Sequence, residues 1–172
     1  MTTTVEQAVS ALEQRYPSEL ASDWDAVGLV CGDPAATVQH VLFAVDPVLS
    51  VVDEALAVGA DMIVAHHPLF LHGVHSVAPT TPKGRVVHTL ISHGIALYCA
   101  HTNADHARPG VSDALAEACG LSATTAIDPA GEQVGTGRVG DLLEATTVGE
   151  LGDRVASVLP ATEHGIRIAG DV

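Results

Sequence analysis

The sequence is short of cations, sulfur and aromatic rings. Only 7 of its 172 residues are Lys or Arg, against 21 Asp or Glu, which gives a formal net charge of −14. Binding nucleic acid by counterion release needs clustered cations, so no nucleic-acid partner is expected, and anionic membranes are disfavoured for the same reason. The three cysteines, Cys31, Cys99 and Cys119, are odd in number and have no CxxC spacing. Structural disulfides and a thiolate zinc site are therefore poorly supported, and a reducing, cytoplasmic compartment is expected. No apolar run approaches the roughly 18 residues that cross a bilayer. The first residues, MTTTVEQAVSALEQR, lack the basic and apolar segments of a signal peptide. Walker A, GxGxxG and GxSxG patterns are absent as well, and Gly135-Thr136-Gly137 is too short a signal for phosphate binding. Hydrophobic residues make up 47% of the chain but aromatics only 3%. The core must be built from Val, Ala, Leu and Ile, which suits buried strands flanked by small-residue helices.

Those strands and helices can be read along the chain. Val5, Ala8, Val9 and Leu12 fall at helical spacing, so a helix is expected over 5–15, ended by Tyr16-Pro17. A short strand is expected over 27–31. Apolar runs at 40–45, 62–65 and 95–100 then alternate with helical patterns at 48–58, 84–93 and 111–119. Strands that are continuously apolar indicate a parallel sheet buried on both faces. The expected fold is therefore α/β, a largely parallel buried sheet with helices on both faces. Residues 1–120 read as this N-terminal metal-binding domain and 121–136 as a small, polar linker. Residues 137–172 read as the incomplete beginning of a second α/β unit, with a helix at 147–158 and a strand at 165–169.

Each of the three apolar runs ends in polar residues, and ligands of open α/β sheets bind beyond the carboxyl ends of the strands. His66-His67-Pro68 is the sharpest of these endings, in a chain with ten histidines. Neutral imidazole is a common ligand of divalent transition metals. Neighbouring histidines at a turning strand end can address two ions instead of chelating one. The alternative is a pair of rim histidines with no ligand role. His101-Thr102-Asn103-Ala104-Asp105 is the second ending. Asp105 can ligate through oxygen, cap the helix that starts near Gly110, or sit in a solvated loop. His101 can ligate, orient a ligand or carry a proton. Asp46-Pro47 reads first as a helix N-cap followed by Pro at the first helical position. Trp24, before a Gly-containing strand, reads as a packing residue.

The order WDAVGL (24–29), AHHPLF (65–70), HTNAD (101–105) and GTGRVG (135–140) resembles the family of GTP cyclohydrolase I type 2 homologs, also called the Nif-three-like dinuclear metal-centre family. The resemblance implies two α/β halves, a homohexameric ring and two divalent ions per subunit, of zinc, iron, manganese or nickel. It also implies a metal-dependent hydrolase acting on a nucleotide-like or phosphoester substrate. A non-catalytic metal-binding or assembly protein is the alternative. Carried over by motif, His66 and His67 match the paired ligands and Asp105 the aspartate ligand. His101 ranks lower as a ligand and is the candidate proton carrier. Ala26 stands where the family usually has Asn, and the family's remaining His and Glu ligands have no counterpart among these residues.

Overall fold

A computed structural model describes residues 2–170. It contains two compact units, divided between Ala104 and Asp105.

The first unit opens with strand β1 (Thr3–Thr4) and helix α1 (Val5–Arg15). The Thr4 hydroxyl accepts from the Gln7 amide, and the Gln7 side-chain oxygen accepts from the Thr4 amide. This reciprocal box satisfies two amides that the helix leaves unpaired. Strands β2 (Gly28–Cys31), β3 (Thr37–Val38) and β4 (Val41–Ala44) follow. Helix α2 (Leu49–Val58), β5 (Met62–Ala65), α3 (Pro82–Ser92) and β6 (Ala96–Cys99) complete the series. Gly59, with φ 68°, ends α2 in the left-handed conformation expected at this position.

The main sheet has the order β2-β6-β5-β4. β4, β5 and β6 run parallel, with Val41 beside Met62 and Met62 beside Ala96. β2 joins β6 antiparallel, with Gly28 beside Cys99. Side chains of a strand alternate between faces, and β5 shows it. Met62 and Val64 pack with Val5, Ala96 and Tyr98 beneath α1. Ile63 and Ala65 pack with Val52, Val86, Leu90 and Leu97 beneath α2 and α3. Both faces of β5 and β6 are covered, which is why the sequence of these two strands is unbroken by polar residues.

Helix α4 (Thr102–His106) spans the division between the units. The second unit continues with α5 (Val111–Ala118), β7 (Leu121–Thr125), β8 (Asp128–Pro129), β9 (Gly135–Thr136), β10 (Val139–Leu142) and α6 (Val148–Val158). Strands β7, β8 and β9 fall within residues 121–136. β7 pairs antiparallel with β10, and β8 with β9. Their small polar residues carry little hydrophobic signal, and the ladder itself makes the strands. The reverse holds at 165–169. Its apolar residues suggested a strand, but no ladder partner is present among the described residues and no strand forms.

The Gly135-Thr136-Gly137 segment has a structural task in this unit. The Arg138 side chain is 1% exposed. It donates to the carbonyls of Gly135, Gly137 and Ala107 and to both carboxylate oxygens of Asp113. Gly135 has φ 142°, and a Cβ there would lie 2.2 Å from the Asp128 carbonyl oxygen. Only glycine permits this close approach.

Candidate metal centre

The β-ladder positions the histidine pair. Beyond β5 the amides of His66 and His67 donate to the carbonyls of Ala44 and Val45 at 3.0 and 2.8 Å. The chain then turns at Pro68. The imidazoles of these neighbours end on the same side, with ring centroids 5.2 Å apart and planes at 42°. His101 follows β6, and its amide donates to the Asn103 side-chain oxygen at 2.9 Å. Its ring centroid lies 5.1 Å from that of His66 and 5.6 Å from that of His67.

Each ring is held through Nδ1. His66 Nδ1 is 3.0 Å from the Ala100 carbonyl oxygen. His67 Nδ1 is 2.7 Å from Asp46 Oδ1, and His101 Nδ1 is 3.0 Å from Asp25 Oδ1. A carbonyl or ionised carboxylate can only accept, so Nδ1 carries the proton in all three. The nitrogen each neutral ring offers to a cation is then Nε2. Metal-ligating histidines are commonly oriented by such tethers, which also raise ligand basicity.

One ring nitrogen of each of the three histidines lies within 4.8 Å of the others. Two metal–nitrogen bonds of about 2.0–2.1 Å span at most about 4.2 Å between ligand atoms. The spacing is close to what one shared ion requires. The donor set fits a divalent transition metal, with two carboxylates behind the rings to balance its charge.

The two carboxylates differ in setting. The Asp46 side chain is 59% exposed, whereas that of Asp25 is fully buried. Burial opposes the charge on Asp25. Hydrogen bonds from the Thr102 hydroxyl, the His101 ring and the amides of Thr102 and Ala26 outweigh it and hold the carboxyl below its ordinary value. The Thr102 hydroxyl in turn accepts from the Ser22 amide at 2.9 Å.

Two sequence readings change here. Asp46 does not cap α2, because Val48 occupies the N-cap and no side chain bonds the helix end. The Asp46 carboxylate turns to His67 instead. Trp24 is not a core residue either. It is 59% exposed and meets the His101 ring edge-on at 5.8 Å. The role of Asp25 was missed, since 76 residues separate it from His101. The structure thus brings His66, His67 and His101 together. Asp105 is half-buried on α4, within the second unit, and takes part in interactions of its own.

Fold and site together define an α/β chain with a three-imidazole candidate metal centre at the carboxyl edge of a parallel sheet. Residues 3–172 match the family model Duf34/NIF3 (NGG1p interacting factor 3), and the chain belongs to that family. It is 54% identical over 170 residues to a Streptomyces coelicolor protein named GTP cyclohydrolase 1 type 2 homolog, covering 96% of this chain and 59% of the relative. This chain thus spans well under two thirds of that relative's length. A solved Bacillus cereus structure, of a protein related to NIF3, aligns with TM-score 0.72 at 39% identity, over 76% of this chain and 36% of that one. Staphylococcus aureus protein SA1388 aligns with TM-score 0.82 at 26% identity, over 91% of this chain and 64% of that one. No described helix is long and apolar enough to cross a membrane.

Proposed function

We propose that the chain binds divalent metal and forms part of a metal-dependent hydrolase for a nucleotide-like or phosphoester substrate. The observation that carries this reading is the convergence of His66, His67 and His101, with all three rings tethered at Nδ1, which makes Nε2 the candidate ligand atom of each. A bound divalent ion would supply Lewis-acid polarisation and a water activated near neutral pH. The chain's own residues orient the imidazoles, balance the charge through Asp25 and Asp46, and keep the Asp25 side fixed. Asp105, four residues beyond His101, is proposed as a carboxylate ligand of a dinuclear centre, following the family resemblance. The name borne by the curated relatives supports a purine nucleotide as the substrate class.

The test is metal stoichiometry. The untagged protein, dialysed against zinc and analysed for metal, is expected to retain at least one ion per chain. His66→Ala, His101→Ala and Asp105→Ala are compared beside it. Loss of metal in the two histidine variants supports the three-imidazole centre, and a drop by one ion in Asp105→Ala supports the second site. Metal-free wild-type protein after loading would refute the reading.

A further inference from the structure

We infer that the cavity beside His67 is an anion subsite, built to take a phosphate group of the substrate. This deepens the hydrolase reading and rests on it, because His67 and Asp46 belong both to the cavity wall and to the candidate metal centre.

The cavity has a volume of about 580 Å³ and lies between the ends of β4 and β5 and the start of α3. That size suits a small organic ligand. Lys83 and Arg85 both line it. They are two of only seven Lys and Arg residues in a chain with net charge −14. Among the described residues of the wall Asp46 is the only carboxylate, and its Oδ1 is bonded to His67. The wall is thus locally cationic on a strongly acidic protein, and a concave, partly apolar cleft concentrates such a field.

The chain restrains Arg85, and Lys83 sits where the cavity adjoins the Phe70 side chain. Arg85 Nε donates to the Pro79 carbonyl at 3.4 Å, which fixes the stem and leaves the terminal fork for recognition. The Lys83 ammonium lies 5.7 Å from the Phe70 ring centroid. Thr81 Oγ1 accepts from the Gly84 amide at 3.1 Å, so its hydroxyl proton is available to donate into the cavity. Gly84 keeps this turn tight, since a Cβ would lie 2.1 Å from the Ala78 carbonyl oxygen. Val48, Leu49, Leu69 and Val86 supply apolar wall. A phosphate held by Lys83, Arg85 and Thr81 would leave the attached group facing His67.

The experiment uses metal-free protein, so that the anion cannot be held by an ion. Pyrophosphate binding is measured calorimetrically on EDTA-treated, dialysed wild type and on Lys83→Gln/Arg85→Gln. Zinc retention and circular dichroism are followed on the same samples. Wild type is expected to bind pyrophosphate in a salt-dependent manner. The double variant should bind at least about tenfold more weakly, as expected for losing charged hydrogen bonds, with zinc retention and spectrum unchanged. Lys83→Arg/Arg85→Lys should retain most of the affinity. Guanosine, which has no phosphate, should not displace pyrophosphate. The inference is overturned if metal-free wild type does not bind pyrophosphate, if binding appears only after zinc loading, if the double variant binds as wild type does, or if guanosine competes. Failure of the metal reading would instead appear as wild-type protein that takes up no zinc, and that outcome is scored separately from the pyrophosphate arm.

Discussion

The two units of the chain use one polar device for opposite ends. In the second unit Asp113 faces Arg138, and the guanidinium is further enclosed by the carbonyls of Gly135, Gly137 and Ala107. Donors and acceptors match one for one and the knot is closed. In the first unit Asp25 and Asp46 face His101 and His67. There the carboxylate uses one ring nitrogen, and the rings gather with that of His66 so that one nitrogen of each lies within 4.8 Å of the others. Acceptors that converge on acceptors gain nothing from each other. A cation reconciles them. A matched polar cluster therefore reads as structure, and a cluster of like acceptors reads as a ligand site.

The comparison breaks most visibly at Arg138. Replacing Arg138 with Met leaves Asp113 with only the Gly110 amide and the more distant Arg108, and leaves three backbone carbonyls without the guanidinium. Breaking a buried ion pair from one side costs about 3–5 kcal/mol, and partial exposure of Asp113 puts this case toward the lower end. Urea unfolding should show the loss, and an unchanged midpoint would mean that the knot contributes little. His101→Ala should shift the balance. The metal-free protein should lose less, about 1–3 kcal/mol for the hydrogen bond to buried Asp25, while zinc affinity falls. Removal of a supporting residue alone costs about 10–100-fold in affinity, so removal of a ligand should cost at least a hundredfold. Competition against a chromogenic chelator would measure it.

The histidine pair was legible because the strand-end rule acts on local sequence. An apolar run of four residues followed by HHP states both the strand and its rim. The parallel core was legible for the same reason. Asp25 was not, because its partner His101 is reached only through the antiparallel pairing of β2 with β6, which sets Gly28 beside Cys99. Continuing that pairing back to residue 25 brings it alongside residue 102, next to His101. The remaining signal was a carboxylate placed just before a Gly-containing strand. Asp46 was misread because Asp-Pro before a helix carries the same letters whether the carboxylate caps the helix or turns to a histidine. The β7–β10 hairpin was hidden by its Ser, Thr and Gly residues. Such strands are fixed by the partner they meet rather than by their own hydrophobic pattern.

A finer comparison lies within the metal centre. Asp25→Asn replaces a buried acceptor of several donors with an amide that turns an NH2 group on some of them. Asp46→Asn makes the same exchange in a side chain that is mostly exposed. Both should weaken zinc binding within the range of about 10–100-fold expected for supporting residues. Asp25→Asn belongs near the upper end and Asp46→Asn at or below the lower end, because water can replace an exposed partner. Equal losses would show that carboxylate charge, and not burial, sets the contribution.

The smallest expected effect is acid sensitivity of the Arg138 knot. The guanidinium hydrogen bonds, aided by the Gly110 amide and set against partial burial, hold the Asp113 carboxyl below its ordinary value. A carboxyl whose folded pKa is depressed stabilises the fold above its unfolded pKa of about 3.9, and that stability is lost as pH falls through the folded value. The unfolding midpoint should therefore be flat in Asp113 near neutral pH and should decline below about pH 4, by no more than about 1.4 kcal/mol per pH unit for one group. In Asp113→Asn that part of the slope should vanish, leaving the slopes of the other carboxylates, Asp25 among them. An identical acid slope in the variant would mean that Asp113 binds its proton equally in both states. The Arg138 knot would then owe its stability to the three carbonyls alone.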